Sequence, residues 1–387
     1  MIPRTADVVI IGAGIIGGSI AYHLSLRKIG VVLLDKAGLG SGTSGACSGH
    51  IFLQSKRPGP HLRLAMESEK RFHALQRELD FDIEYQDRGG MIVIENEKEL
   101  AGLRLLVEDQ KRTGLPVSLL QRDQAREMEP SLSEDIAAST FCPLDGQVNP
   151  LHLTLAFIKA AKRMGAKVFP HAEVMDMRLG GKRVAAVRTK FGDIEAGIVV
   201  NAAGAMAPQI AKMVNLHVPI KPRRGQLLVT EAVPPMLHRP LLSARYITDK
   251  YETAGSASGG TGVSIEQTRN GNFLLGSTRE FVGFDRRTTW EGTRRIAERT
   301  TRIIPELRKM HIIRTFSGLR PHTPDGLPVL GRVEGIDGFL MAAGHEGDGI
   351  ALSPGTGQLM AELVHAGRTA MDLTDFRLER FHSGGGQ

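Results

Sequence analysis

The chain has 387 residues, 41% of them hydrophobic, and a formal charge of +7 carried by 49 basic against 42 acidic residues. That length and apolar content support a large core in two domains or one elaborate one. Two cysteines, Cys47 and Cys142, exclude a disulfide framework and a zinc or iron-sulfur site within the chain; no metal is expected. The basic residues are spread among acids and aromatics are only 5%, too few for a base-stacking surface, so nucleic-acid binding is not expected.

The first segment, residues 8–36, reads as strand, glycine turn, helix, strand and acid. Val8 to Ile11 form a buried strand, and Gly12, Gly14 and Gly17 follow in G-x-G-x-x-G spacing before a helix predicted to be amphipathic. Gly12 permits the tight turn, Gly14 admits a pyrophosphate to the backbone at the helix N-terminus, and Gly17 lets the helix pack on the sheet. The strand Val31 to Leu34 ends in Asp35, placed to accept hydrogen bonds from an adenosine ribose. The apolar run from Val8 to Ile20 lacks a basic n-region and is interrupted by glycine, so neither a signal peptide nor a membrane span is expected. A cytoplasmic location follows as an expectation, with peripheral attachment at an inner membrane left open.

A loop of small residues, GLGSGTSGACSGH (38–50), exposes backbone to a ligand. Helix is predicted from Pro60 to Leu79, strand in GGMIVIEN, helix over Glu97 to Thr113, strand from Val117 to Leu120, and a short helix stopped by Pro130. A helix from Pro150 to Met164 leads to short alternating strands and a buried strand, Ile198 to Val200. This strand opens onto Asn201, Ala202, Ala203 and Gly204, small enough for a bulky ligand to lie against. Residues 223–284 read as a separate antiparallel layer with strands in RRGQLLVTEA, SARYITDK, GVSIEQ, GNFLLGST and FVGF. Within it, ETAGSASGGTG reads as a mobile flap, a partner contact or an unstructured loop. Helix returns from Trp290 to Ile304, then a strand, turn and strand in RTFSGLRPHTPDGLPVLG, and a last helix from Ser353 to His365.

Five segments, IGAGIIGG (11–18), GTSGACSGH (42–50), VVNAAG (199–204), GLRPHTPDGLPVLG (318–331) and AAGHEGDGI (342–350), resemble the D-amino acid oxidase family of flavoproteins, which includes glycine and sarcosine oxidases. The resemblance covers nearly the whole chain. It implies an α/β fold, α+β overall: a Rossmann-like FAD-binding domain (1–85, 145–215 and 322–387) and an antiparallel-sheet substrate domain (86–144 and 216–321). It implies noncovalent FAD, because a cysteine that anchors flavin in some members is missing from Phe316 to Leu319. The ADP part would lie on Gly12, Gly14, Ile15, Ile16, Gly17, Asp35 and Lys36. Gly42, Thr43, Ser44, Ser48, Gly49 and His50 would run beside the ribityl chain and ring system. Val174 would meet the adenine side, and Ala203 and Gly204 would line the cofactor. Gly344, His345, Gly347, Asp348, Gly349 and Ile350 would meet the pyrimidine edge at a helix N-terminus, whose dipole suits the negative charge of reduced flavin.

Arg320 matches the family arginine that forks onto a substrate carboxylate. The implied substrate is an amino acid or secondary amine with a carboxylate, oxidised by hydride transfer from the carbon beside nitrogen. His345 and Glu346 are candidates for assisting deprotonation, or else hold the cofactor in place. The strand GVSIEQ lacks the phenol found in glycine-oxidase-like members; Tyr246 or Tyr251 could replace it, or Glu266 and Gln267 could meet a more polar substrate.

The stretches GSTREFVGFD and ACSGHIFLQSKRPG look similar to catalytic subunits of multi-subunit dehydrogenases for opines, D-hydroxyproline or proline. That similarity implies a partner subunit carrying a second flavin or an iron-sulfur cluster. A stand-alone oxidase using oxygen, a nicotinamide dehydrogenase sharing the first motif, and a noncatalytic flavin-holding subunit are the alternatives.

Overall fold

In the computed structural model, residues 1–251 and 262–381 are described. Two eight-stranded sheets organise the chain. In the first, Phe339–Ala343, Gly192–Asn201, Thr5–Ile11, Val31–Leu34 and Lys167–Phe169 run parallel in that spatial order. Val329–Arg332 closes one edge in antiparallel fashion. Val8, Ile10, Val31 and Leu33 point into a helical layer, and the alternate residues Val9, Ile11, Val32 and Leu34 into a second apolar cluster. Such continuous apolar runs are what a parallel strand covered on both faces requires. The second cluster is roofed by the antiparallel strands Val174–Gly180 and Arg183–Thr189, of which Arg183–Thr189 pairs onto the first half of Gly192–Asn201.

The first helix, Ile15–Leu26, lies beneath this sheet and is buried over all but its last residue, so it is not amphipathic as predicted. The last helix flanks it on one side and Pro150–Arg163 on the other, leaving no solvent face. The last helix spans Gly349–Ala366 and begins four residues earlier than Pro354 suggested. Proline is tolerated near a helix start because its missing N–H removes little. Ser353 Oγ donates to the Ile350 carbonyl at 2.9 Å, supplying the bond that Pro354 cannot. A Cβ at Gly357 would overlap Ser19, and one at Gly355 would sit 2.7 Å from Ser68 Oγ, so both glycines admit neighbouring helices.

The second sheet orders Ile312–His322, Lys221–Ala232, Asn272–Gly276, Ser264–Gln267, Leu241–Ser243, Gly90–Ile94, Ala138–Cys142 and Ser118–Gln121. Its only parallel pair among the described residues joins Leu241–Ser243 to Gly90–Ile94. Two predicted strands are corrected. SARYITDK supplies only the end of a strand, Ser243, and then the helix Ala244–Tyr251, because Tyr246 and Lys250, four residues apart, both face inward. FVGF forms no strand; Phe281, Val282 and Phe284 are exposed around Gly283, whose φ of +64° turns the chain. The predicted flap, apart from Gly262, lies outside the described residues.

Candidate functional site

The parallel strands end together, and their carboxyl ends form the edge where ligands bind in open α/β sheets. Gly12, at φ +110°, makes the turn after the first strand, and a Cβ there would lie 2.5 Å from the Ala202 carbonyl oxygen. Gly17 approaches the Gly12 carbonyl so closely that any side chain would overlap it. The helix that follows has no side-chain cap from Gly14 itself, and at its first turn only Ile15 N is taken up, by Ser44 Oγ from the neighbouring loop. Asp35 accepts Ala13 N at 2.7 Å through one oxygen and Ala37 N at 2.8 Å through the other. Its carboxylate thus braces the glycine turn at the end of the second strand. Lys36 is exposed, and Val174 is buried at the start of its strand, near this end of the sheet.

The loop Gly42–His50 is strapped to the first helix and to the second sheet. Ser44 Oγ accepts Ile15 N at 2.9 Å, and Thr43 Oγ1 donates to the Leu319 carbonyl at 2.5 Å. Gly318 makes the second strap possible, since a Cβ there would overlap the Ala46 carbonyl oxygen. At the far end of the loop Gly49 N donates to both Glu266 carboxyl oxygens at 3.0 Å, while His50 Nδ1 lies 3.1 Å from Glu266. Burial pushes the Glu266 carboxyl up to about 8 and the His50 imidazole down to about 4. Both side chains therefore pack against each other close to neutrality, and Ser48 is half-buried beside them. A cleft of about 270 Å³ opens beside this loop, with Ser44, Cys47 and Glu266 in its wall. Burial raises the Cys47 thiol to about 12, so it is no thiolate.

Arg320 stands near the end of Ile312–His322, directly opposite Arg223 on the neighbouring strand. Its guanidinium folds over Gly225, where a Cβ would lie 2.5 Å from Nη2 and 2.6 Å from Cζ. Nη1 donates to the Thr278 carbonyl at 3.0 Å and Nη2 to Ser277 Oγ at 2.5 Å. The remaining N–H bonds have no partner among the described residues, and the side chain is buried. Burial, then the Arg279 charge, hold its pKa below the usual arginine range, so an anion placed there would be drawn to it.

The loop Gly344–Asp348 closes the site from the first sheet. Gly344, at φ +85°, sits on Thr323, and Glu346 N donates to the Pro321 carbonyl at 3.1 Å, beside Arg320. Glu346 is buried and ion-paired with Arg223. Although burial opposes ionisation, Arg223, Arg279 and Arg320 hold its carboxyl well below the usual range. His345 Nε2 is 3.2 Å from Thr356 Oγ1, and burial depresses its imidazole to about 3. Neither group suits proton abstraction at neutral pH. Asp348 precedes Gly349 and Ile350 at the N-terminus of the last helix without capping it. Its carboxylate is spent on Lys250 at 2.6 Å, Lys56 at 3.0 Å and His61 at 3.4 Å.

The structure thus gathers Gly12, Gly14, Ser44, Ala203, Gly204, Gly344, Gly349 and Arg320 around one edge, and turns Gly49 and His50 toward Glu266. Tyr246 is at the site, since the Cβ position of Gly347 lies 3.8 Å from its hydroxyl and 3.4 Å from Arg320 Nε; the Tyr251 side chain lies outside the described residues. Gln267 instead pins the 233–237 turn, accepting from Met236 N at 2.9 Å. Sequence reasoning missed Arg223, Arg279, Lys56 and Lys250. An arginine pair heading an otherwise apolar strand (RRGQLLV) was a legible signal for Arg223; Arg279 had none.

Two helix N-termini without caps of their own, a glycine turn braced by an acid and a loop of bare backbone fit a dinucleotide with an extended ring, and a buried arginine faces it. This is the architecture of a flavin-dependent oxidoreductase. Residues 7–363 match the model of the family described as FAD dependent oxidoreductase, and the chain belongs to that family. It is 32% identical over 381 residues to glycine oxidase of Geobacillus kaustophilus, covering 97% of each chain. It is 30% identical over 420 residues to the hydrogen cyanide synthase subunit HcnC of Pseudomonas aeruginosa, covering 98% of this chain and 97% of that one. The crystal structure of L-proline dehydrogenase from P. horikoshii superposes with a TM-score of 0.90 at 28% identity and full coverage of both chains. The chain is an FAD-dependent enzyme of the kind that oxidises amino-acid or amine C–N bonds. Among the described residues no helix is long and apolar enough to cross a membrane.

Proposed function

We propose that the chain oxidises an amino acid or secondary amine whose carboxylate is gripped by Arg320, as the catalytic subunit of a heteromeric dehydrogenase for an opine, proline or hydroxyproline-like substrate. The observation that carries the reading is the buried Arg320 guanidinium, pinned by Ser277 and Thr278 with no partner for its other N–H bonds among the described residues. FAD, when bound, accepts the hydride from the carbon beside nitrogen. Arg320 fixes the carboxylate, so that this carbon meets the cofactor in one orientation. Glu346 stays ionised and keeps Arg223 from competing for the substrate. With His345 committed to Thr356 and Glu346 to Arg223, no base takes the amine proton, and the amine enters neutral.

The segments 1–85, 145–215 and 322–387 hold FAD, and 86–144 with 216–321 shape the substrate side. FAD is held without a covalent bond, a reading supported by the protonated Cys47 thiol and by Phe316 to Leu319, which contain no cysteine. The exposed Phe281, Val282, Phe284 and Trp290 support a partner subunit, and two free cysteines suit a cytoplasmic setting. The likeness to glycine oxidase supports a second reading, a single-chain oxidase using oxygen.

Anaerobic mixing of the FAD-loaded protein with glycine, sarcosine, proline isomers, hydroxyprolines and opines should bleach the flavin for one class. Arg320→Leu should abolish that bleaching at accessible concentrations, and unchanged bleaching rejects the role. Full dye-linked turnover by the chain purified alone would count against the partner.

A further inference from the structure

Beside Arg320 stands a second guanidinium with nothing to hold. Arg279 is 7% exposed, and its Nε, Nη1 and Nη2 are all buried without a hydrogen-bond partner among the described residues. Leaving a buried charged donor unpaired is costly, and native interiors rarely do so without a ligand to come. The face of the Tyr246 ring lies 4.1 Å from the guanidinium carbon. That tyrosine points its hydroxyl toward the Gly347 position that Arg320 Nε also approaches. Arg279 directly follows Ser277 and Thr278, the two residues that pin Arg320, so both arginines are anchored by one short segment.

The acids nearest Arg279 are already engaged. Glu346 pairs with Arg223, Asp348 with Lys56 and Lys250, and Asp249 with Arg245 at 2.9 Å and with Gly262 N at 2.6 Å. Three guanidinium groups, of Arg223, Arg279 and Arg320, therefore act on a single buried carboxylate, Glu346. The site carries an excess of positive charge that one substrate carboxylate does not balance.

We propose that Arg279 binds a second carboxylate, so that the preferred substrate is an amino acid carrying two carboxylates, one on Arg320 and one on Arg279. The inference rests on the Arg320 reading and deepens it. The second carboxylate belongs either to a substituent on nitrogen, as in iminodiacetate, or to the side chain, as in aspartate. Neither source alters the chemistry at the oxidised carbon. A Tyr246 ring against the guanidinium plane keeps the fork oriented while it waits.

The test uses the FAD-loaded protein and two ligand pairs that differ by one carboxylate. Thiodiacetate and (methylthio)acetate are unreactive thioethers whose affinities are read by calorimetry or by the flavin spectrum. Iminodiacetate and sarcosine are their amine counterparts, read by anaerobic bleaching. The wild-type protein should bind thiodiacetate about tenfold to hundredfold more tightly than (methylthio)acetate, the range expected for a charge-assisted hydrogen-bonded pair. Arg279→Gln should bring the thiodiacetate affinity down to that of (methylthio)acetate while the protein keeps its flavin, and Arg279→Lys should keep part of the advantage.

If aspartate outperforms alanine while iminodiacetate gains nothing over sarcosine, the second carboxylate sits on the side chain and the proposal stands. Equal wild-type affinities for the two thioethers, together with aspartate no better than alanine, overturn it without needing any variant. So does an Arg279→Gln protein that weakens both thioethers equally or loses its flavin. Failure of the Arg320 reading looks different, with neither thioether binding and no amine reducing the flavin.

Discussion

Gly225→Ala separates the placement of Arg320 from the stability of the sheet that carries it. A new Cβ would stand 2.5 Å from Nη2 and 2.6 Å from Cζ of Arg320, whereas ordinary contacts begin near 3.4 Å. The guanidinium must then retreat by about 1 Å, because it is the mobile end of a side chain and the strand is not. Leaving Ser277 Oγ and the Thr278 carbonyl costs the fork its alignment, and a displacement of that size at a positioning group lowers reaction rates by up to about 100-fold. Stability should fall by about 1–3 kcal/mol, from the two buried hydrogen bonds that Arg320 gives up, since residue 225 has no positive φ and the strand backbone itself accepts alanine. The assay pairs thermal denaturation of the holoprotein with anaerobic stopped-flow reduction. The expected result is a melting temperature within a few degrees of wild type, full flavin content, and a substrate Kd raised about tenfold or more. Gly318→Ala, directly across the strand pair, should do the reverse, because its Cβ would strike the backbone carbonyl of Ala46 in the flavin loop. That variant should lose FAD affinity first. A Gly225→Ala protein with wild-type Kd and reduction rate would refute the placement of Arg320.

Glu266→Gln should flatten the pH dependence of stability. The folded carboxyl is raised to about 8 from an ordinary 4.5, so its contribution is fully present below about pH 4.5 and is lost as pH rises through about 8, by up to about 5 kcal/mol. The melting-temperature difference between Glu266→Gln and wild type should therefore grow in the variant's favour from pH 5 to pH 8.5; a constant difference would contradict the buried acid. Gly17→Ala places a methyl on the Gly12 carbonyl and should yield protein without flavin, or none soluble, as absorbance and gel filtration would show. Cys47 should resist iodoacetamide in the native protein at pH 8, given a thiol pushed up to about 12, and react only after denaturation. Modification of the native thiol within minutes at pH 8 would contradict that burial.

Local signals made most of the frame legible. Apolar runs at Val8–Ile11 and Val31–Leu34, three spaced glycines and Asp35 act through neighbours within a few turns of chain, so the turn and its acid follow from spacing alone. The first helix misled because a helix wedged between two others has no wet face, and burial on both sides depends on elements more than a hundred residues away. The SARYITDK segment misled because a short apolar stretch is compatible with either period until packing chooses.

What the linear order of residues decided was the glycine turn, the small-residue loop 42–50 and the place of Arg320 in its strand, each carried by a contiguous motif. What only the assembled protein decided was charge: which buried groups meet, which are neutralised, and which are left over. Arg223 and Glu346 are 123 residues apart, Lys56 and Asp348 292 apart, and Glu266 reaches Gly49 across 217. Ionic pairing in a low-dielectric interior acts through distance in space and not along the chain, so the acids that Glu346 and Asp348 present in one short motif acquired their partners, and Arg279 its lack of one, only when two sheets closed over a common edge.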